Sequence, residues 1–182
     1  ELDYDSLQTY LHLSYIPAPH TIFKHVKKLM PGHYLKVSSK KLETGQYYSI
    51  AEKPSLYSQT YNEAQKQLKN LLDDAVQRRL VSDVPIGAFL SGGIDSSVIA
   101  ALAVKHKPDL HTFSIGFKDD KFFDETAYAN SVAKHLKTDH TIFTLTHNDL
   151  LDHVQDAVNY IDEPFADSSA LNVYILSKET RK

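Results

Sequence analysis

A short serine- and glycine-rich segment carries the clearest chemical potential in this sequence. Residues Ser91–Ser97 read Ser-Gly-Gly-Ile-Asp-Ser-Ser, directly after the nearly continuous apolar run Val84–Leu90. Adjacent glycines allow a backbone to approach a ligand closely, and serines supply hydroxyl donors. Because the first amides and the dipole of a helix favour an anion, this segment predicts a phosphate-binding loop between a strand and a helix.

Two familiar phosphate-binding motifs do not fit this loop. The Walker A motif, G-x-x-x-x-G-K-[ST], aligns its glycines with Gly87 and Gly92, but Gly93 stands where the motif requires lysine. The dinucleotide-binding motif G-x-G-x-x-G also fails, because no third glycine follows Gly93. The loop therefore belongs to neither class.

The acidic residue of this segment, Asp95, indicates which kind of phosphate ligand could bind there. A carboxylate beside a phosphate is repelled by about 4 kcal/mol, for unit charges roughly 4 Å apart at an effective dielectric constant of about 20. A divalent cation between the two groups reverses the sign of that interaction. The alternative is that Ser91–Gly93 is an ordinary strand-to-helix turn and that Asp95 only caps the helix.

Regular hydrophobic patterns surround the loop. From Tyr61 onward, apolar runs alternate with helical patterns, which is typical of βαβ units and a parallel sheet. We expect helices at 61–81, 96–106, 124–137, 148–160 and 168–182, and strands at 84–90, 111–117 and 141–145. The first of these strands has the pattern of a strand buried on both faces. The predicted fold class is α/β, a doubly wound parallel sheet with flanking helices and Ser91–Ser97 at its carboxyl edge.

The beginning of the chain has a different pattern, and the change falls at about residues 51–58. Apolar spacing predicts a short amphipathic helix at 4–15, which Pro17 and Pro19 end. Two short strands are predicted at 33–37 and 47–50, around a loop that contains Gly45. We interpret this part as the end of another domain or a linker region.

The composition excludes several classes of protein. The 20 basic and 23 acidic residues give a formal net charge of −3, without the basic surplus of a nucleic-acid binder. The absence of cysteine excludes disulfides, a thiolate nucleophile and cysteine-ligated zinc within these residues. The longest apolar run, Val98–Val104, is far shorter than the roughly 20 residues that a membrane helix needs. We therefore expect a cytoplasmic protein without nucleic-acid or membrane partners.

The loop and several other stretches resemble a known family. Residues Ser91–Ser96 match the S-G-G-x-D-S pyrophosphate loop of the PP-loop ATP pyrophosphatases, and the sequence as a whole resembles glutamine-hydrolysing asparagine synthetases. Supporting stretches are Asp83–Gly87, Phe113–Phe117, Asp124–Glu125 and Asp162–Ser169, with Pro19–Phe23 and Leu29–Leu35 earlier in the chain. The resemblance implies that residues 1–58 are the end of a glutaminase domain with its linker, and that residues 59–182 begin an ATP-pyrophosphatase domain. Because the chain opens at Glu1 and its single methionine is Met30, we expect it to be part of a longer protein.

The resemblance also implies roles for individual residues. Those expected to hold the β and γ phosphates of ATP are Ser91, Gly92, Gly93, Asp95, Ser96 and Ser97. Asp95 would in addition meet Mg²⁺, and it is the one candidate catalytic residue. Phe89 or Leu90, together with Ile115, would line the adenine slot, largely through backbone groups. Residues Asp162–Ser169 would border the substrate pocket or, as the alternative, Asp167 or Ser168 would cap the last helix. Asp124 and Glu125 are expected at a helix N-terminus.

The reaction implied by the resemblance is ATP-dependent amidation of aspartate to asparagine through β-aspartyl-AMP, with ammonia supplied from glutamine. The cofactors would be ATP and Mg²⁺, the partners would be small molecules, and a homodimer is left open. Since no cysteine is present to attack glutamine, residues 1–182 alone are expected to be inactive. Two alternatives stay open. One is a related PP-loop amidotransferase acting on another carboxylate, such as a β-lactam-forming synthetase or an enzyme amidating a cell-surface precursor. The other is a non-catalytic ATP-binding module.

Overall fold

The chain folds into two compact units. The structure, a computed structural model, describes residues 1–50 and 58–182. The first unit comprises Glu1–Tyr57 and Val158–Ser168, and the second comprises Ser58–Ala157 and Ser169–Lys182. The predicted change of organisation at residues 51–58 falls almost wholly on residues 51–57, which lie outside the described residues.

The described residues contain six helices and five strands. In chain order they are α1 (Tyr4–Leu13), β1 (His33–Val37), β2 (Leu42–Gln46), α2 (Tyr61–Arg79), β3 (Gly87–Phe89), α3 (Ile94–His106), β4 (His111–Phe117), α4 (Thr126–Leu136), β5 (Asp139–Leu145), α5 (His147–Asn159) and α6 (Ser169–Thr180). Every predicted helix is therefore present, with ends that differ by at most two residues. None of the described helices is both long and apolar enough to cross a membrane.

In the first unit, local polar groups define the helix and the hairpin. The Asp3 carboxylate caps α1 by accepting hydrogen bonds from the Asp5 and Ser6 amides, each at 3.1 Å. The predicted strand at 47–50 is wrong, because β1 pairs antiparallel with β2 instead. The reason is a tight turn in which the Ser38 amide donates to the Lys41 carbonyl at 2.9 Å, so the second strand begins at once after the turn.

The second unit is built on a three-stranded parallel sheet in the order β3-β4-β5. The predicted parallel arrangement of these strands is confirmed. The prediction of a long strand at 84–90, buried on both faces, is wrong: only Gly87–Phe89 pairs, and Val84 is 65% exposed. Because β3 has a neighbour on one side only within the described sheet, the apolar run is not enclosed as a central strand would be.

Helices lie against both faces of this sheet. Along β4 the side chains alternate, and Thr112 and Ser114 are buried on the face that α4 covers. Leu90 packs there with Ala100 of α3 and two alanines of α4. On the opposite face, Ile115 lines a cleft with residues of α6. The predicted α/β fold with a parallel sheet and flanking helices is thereby confirmed.

Candidate functional site

The predicted phosphate loop is the connection between β3 and α3. β3 ends at Phe89 and α3 begins at Ile94, so the loop lies at the carboxyl edge of the sheet. Gly92 has a φ of +83°, and a Cβ added there would lie 2.5 Å from the carbonyl carbon of Tyr128 and the amide nitrogen of Ala129. Glycine at this position is therefore required by the turn and by the close approach of α4.

Gly93 is a glycine for which the protein itself gives no steric reason. Its φ is −66° and its ψ 162°, a conformation open to any residue. Among residues 1–50 and 58–182, a Cβ at Gly93 would meet only the Ser91 hydroxyl oxygen, at 3.4 Å, within the ordinary contact range. The missing side chain thus leaves open space directly in front of the N-terminus of α3.

The N-terminus of α3 has no side-chain cap. Gly93 is the N-cap residue and provides no side-chain hydrogen bond to the amides of the first turn. By contrast, Thr60 and Glu63 form a complete capping box at the start of α2. The alternative that Asp95 caps α3 is wrong, because Asp95 lies inside the first turn. Its carboxylate is exposed, and within the part of the chain that the structure describes it has no hydrogen bond or ion pair.

The serine hydroxyls brace the loop from within. The Ser91 Oγ lies 3.0 Å from the Ser96 Oγ and accepts a hydrogen bond from the Gly93 amide at 3.3 Å. The Ser96 and Ser97 hydroxyls both donate to the Gly93 carbonyl, at 3.2 and 2.6 Å. These bonds turn the carbonyl of Gly93 toward the hydroxyls and stabilise the shape of the loop.

A cleft of about 440 Å³ opens beside the loop, within the second unit. Its walls are mostly apolar, and they come from the ends of β3 and β4, from the segment before α4 and from α6. The lining residues are Phe89, Leu90, Ser91, Ser96, Phe113, Ser114, Ile115, Phe117, Phe123, Glu125, Ala129, Ser169, Asn172, Val173 and Leu176. An apolar cleft with a few polar groups at one end is typical of a small-molecule site.

The structure brings some of the predicted site residues to this cleft and not others. Those that line it are Phe89, Leu90, Ser91, Ser96 and Ile115, whereas Gly92 and Gly93 lie in the adjoining loop and Asp95 and Ser97 lie in the first turn of α3. The Leu90 side chain is 1% exposed and belongs to the core. Its amide donates to the Phe113 carbonyl at 2.8 Å and is not available to a ligand. Of the two residues predicted for the slot, Phe89 is therefore the accessible one.

Sequence reasoning missed several lining residues. Phe113 and Phe117 lie on the same face of β4 as Ile115, and the period-2 alternation could have revealed them. Phe123 and the α6 residues Asn172 and Val173 reach the cleft only through tertiary structure. No local pattern marks these three as site residues.

The acidic segments take up the following positions. The Asp124 carboxylate accepts a hydrogen bond from the Thr126 amide at 3.1 Å, as expected at the start of α4, while Glu125 lines the cleft. Most of the segment 162–169 belongs to the first unit, where Glu163 pairs with Lys28 at 2.6 Å. Only Ser169, at the start of α6, lines the cleft of the second unit.

Behind the loop, on the α4 face of β4, buried hydroxyls flank a histidine. His140 lies between Thr112 and Ser114, and burial lowers the pKa of its imidazole below the ordinary value. No group of three or more His, Asp or Glu side chains that could hold a metal occurs among residues 1–50 and 58–182.

The chain matches known protein families along most of its length. The family model for asparagine synthase matches residues 67–182, and that for a glutamine amidotransferase domain matches residues 1–48. The chain belongs to the asparagine synthase family. This assignment confirms the resemblance carried by the loop and its neighbouring stretches.

Relatives within the asparagine synthase family are similar over nearly the whole chain. An asparagine synthetase of Bacillus subtilis is 32% identical over 182 residues, which is all of this chain and 28% of that protein. A putative asparagine synthetase of Methanocaldococcus jannaschii is 36% identical over 98% of this chain and 35% of its own length. The chain thus spans about a third or less of these relatives. The solved structure of an NAD synthetase from Campylobacter jejuni shares 15% identity, with a TM-score of 0.42 over 64% of this chain and 52% of that one.

Proposed function

We propose that this chain belongs to an enzyme that amidates aspartate to asparagine at the expense of ATP, and that Ser91–Ser97 holds the pyrophosphate part of ATP. The observation that carries the proposal is the juxtaposition of an uncapped helix N-terminus, an open Gly93 and an apolar cleft in a chain of the asparagine synthase family. The pyrophosphate would bind at the helix end, and the adenosine would enter the cleft.

The residues at the loop suit a magnesium-bound nucleotide. Within the described residues, the first-turn amides of α3 have no side-chain cap, and the exposed carboxylate of Asp95 belongs to the same turn. Proteins hold Mg²⁺ mostly through one or two carboxylates together with the phosphates of the substrate, so a lone aspartate is sufficient. When bound, the ion would neutralise the charge that collects on the leaving pyrophosphate.

The proposed reaction has two steps. In the first, a β-carboxylate oxygen of aspartate attacks the α phosphorus of ATP, the bond from that phosphorus to the bridging oxygen breaks, and pyrophosphate leaves. In the second, ammonia attacks the acyl carbon of β-aspartyl-AMP, AMP leaves, and asparagine forms. The loop amides would stabilise the charge that develops on the pyrophosphate, and the cleft would hold the adenosine in position.

The ammonia is proposed to come from glutamine. The observation in favour is the match of residues 1–48 to a glutamine amidotransferase domain. Free ammonium would then replace glutamine in the full-length protein, and either nitrogen source would lead to the same aspartate-dependent consumption of ATP.

The decisive experiment measures pyrophosphate and AMP release by the full-length protein with ATP, Mg²⁺ and ammonium, with and without aspartate. We expect release that depends on aspartate and forms asparagine in equal amount. Release that depends on a different carboxylic acid would indicate a related amidotransferase. Tight binding of ATP without any release would indicate a nucleotide-binding module.

A further inference from the structure

A chain of hydrogen bonds runs through the sheet behind the loop. The Thr138 and Thr112 hydroxyl oxygens lie 2.8 Å apart, and the Thr112 Oγ1 lies 2.9 Å from the His140 Nδ1. The His140 Nε2 lies 3.3 Å from the Ser114 Oγ, and the Ser114 hydroxyl donates to the Leu90 carbonyl. Leu90 directly precedes the loop, so the chain of bonds ends at the loop's first peptide.

The chemistry of the groups fixes the direction of the protons. A carbonyl oxygen only accepts, so the Ser114 hydroxyl uses its one proton on Leu90 and must accept from His140. The His140 Nε2 must then carry a hydrogen, and in the neutral imidazole the Nδ1 is an acceptor for Thr112. Thr112 in turn accepts from Thr138. With this tautomer the bonds run from Thr138 toward the loop, and the Thr112 hydroxyl has the Asp139 carbonyl, at 3.5 Å, as a second and longer acceptor.

Burial makes this arrangement consequential. Thr112 is 0% and Ser114 4% exposed, so neither hydroxyl can turn to water if its partner is removed. A buried polar group that loses a hydrogen-bond partner destabilises the arrangement around it. The lowered pKa of His140, which desolvation causes, agrees with a neutral ring.

We propose that His140 is a positioning residue for the phosphate loop: its neutral Nε2–H tautomer orients Ser114, which clamps the Leu90 carbonyl and so holds the Leu90–Ser91 peptide. The inference rests on the proposed function of the loop in holding pyrophosphate. His140 lies on β5, away from the loop in sequence, and acts through Ser114. Ser91 and the helix amides that follow it are then presented in one fixed arrangement.

The test on binding uses two substitutions of the histidine and a matched control in the full-length protein. His140→Leu removes the donor to Ser114, whereas His140→Gln retains an amide N–H at a similar reach. His135→Gln alters an exposed histidine on α4 that has no described partner and serves as the control. We expect His140→Leu to weaken Mg-ATP binding about 10-fold or more, as loss of an outer-shell partner does in metal sites. His140→Gln should stay within about threefold of the wild type, while KM for aspartate changes little in either.

Two results of the binding test would overturn the proposal. One is His140→Leu binding Mg-ATP like the wild type; the other is His140→Gln binding as weakly as His140→Leu. If the leucine variant does not fold, Ser114→Ala replaces it, because that change breaks the clamp on Leu90 and leaves the histidine in place. The same loss of binding is expected there.

A second measurement tests the tautomer without any nucleotide. Two-bond nitrogen–proton correlation spectra of ¹⁵N-histidine-labelled protein distinguish Nε2–H from Nδ1–H imidazole and from imidazolium. The His140 signal is assigned by its disappearance in His140→Gln. We expect the neutral Nε2–H form at neutral pH, and an Nδ1–H or charged ring would refute the bond direction. If wild-type protein shows this tautomer but does not bind Mg-ATP, the proposed function fails while the hydrogen-bond assignment stands.

Discussion

The backbone of Gly92 lies so close to Tyr128 that a Cβ on Gly92 would be 2.5 Å from the Tyr128 carbonyl carbon. No real side-chain carbon approaches a backbone that closely, and Gly92 also has a positive φ. One step along the chain, Gly93 has neither constraint. The backbone conformation and packing of the protein therefore require glycine at position 92 but not at position 93. Substituting each glycine separately tests this difference.

Gly92→Ala is expected to destabilise the second unit. The positive φ alone costs an ordinary residue about 1–3 kcal/mol, and the clash with the start of α4 adds to this. The melting temperature of the full-length protein should fall by several degrees. Equilibrium denaturation in urea checks the prediction, and an unchanged midpoint would contradict it.

Gly93→Ala is expected to leave folding intact and to impair the binding of Mg-ATP. Since the native φ suits alanine, the smaller entropy of the unfolded chain should keep the melting temperature equal to the wild type or slightly higher. The added methyl group would occupy the space in front of the α3 amides. We expect at least a 10-fold rise in the Kd for Mg-ATP, measured by calorimetry. If the variant is stable and binds Mg-ATP with wild-type affinity, the phosphate does not bind in front of Gly93.

Asp95→Asn is expected to reduce aspartate-dependent pyrophosphate release by about 10²–10³-fold, the usual effect of removing one preorganised group from a developing charge. Stability should change little, because loss of an exposed charge in the first turn costs only about 0.3–1 kcal/mol. Asp152→Asn on α5 is a matched control, as this carboxylate is also exposed and without a described partner. Near-normal release by Asp95→Asn would leave this carboxylate only a role at the helix dipole.

The half-buried His140 predicts a loss of stability in acid. Burial lowers its pKa in the folded protein below the ordinary value of about 6.5, so the unfolded chain binds the proton more tightly. The contribution of the neutral His140 ring to the free energy of unfolding is constant above about pH 6.5. It decreases as the pH falls and levels off below the pKa of the folded state. Urea denaturation should be measured at several values between about pH 8 and about pH 5. The free energy of unfolding should fall less steeply with pH in His140→Gln than in the wild type. Parallel curves would argue against a neutral imidazole at His140.

The ion pair between Lys28 and Glu163 is expected to contribute about 1 kcal/mol to the first unit. Their side chains are 28% and 38% exposed, so solvent screens the pair only in part. Lys28 also donates to the Ile16 carbonyl, which fixes its ammonium group. A double-mutant cycle with Lys28→Met and Glu163→Gln measures the coupling free energy. A value near zero would indicate that solvent cancels the attraction.

Parts of the fold were predictable because local pattern decided them. β4 follows the predicted bounds at 111–117, since its alternation continues on both faces of a central strand. β3 did not, because an apolar run does not reveal whether a strand has one neighbour or two. The second strand of the hairpin was missed because the hydrogen bond of Ser38 to Lys41 shortens the turn, and this bond has no hydrophobic signature.

The site was predictable in its loop and not in its walls. The shape of the loop could be predicted from residues Ser91–Ser97 alone, because the glycines and the start of α3 are neighbours along the chain. The contributions of Phe123 and α6 depend on how distant segments fold back to the cleft. His140 was not singled out, since its role follows from hydrogen bonds to β4 and not from any spacing in the sequence.

Residues 158–168 return to the first unit although residues of the second unit precede and follow them along the chain. Glu163 bonds to Lys28, and the Ala166 amide donates to the Ser14 carbonyl at 2.9 Å. A gene divided at the codon for residue 58 of this sequence would therefore place the two sides of these bonds on separate polypeptides. If relatives exchanged only the part of the chain before residue 58, or only the part after it, residues 158–168 would meet a first unit from a different protein. The partners stay matched only if residues 158–168 are inherited together with the beginning of the chain.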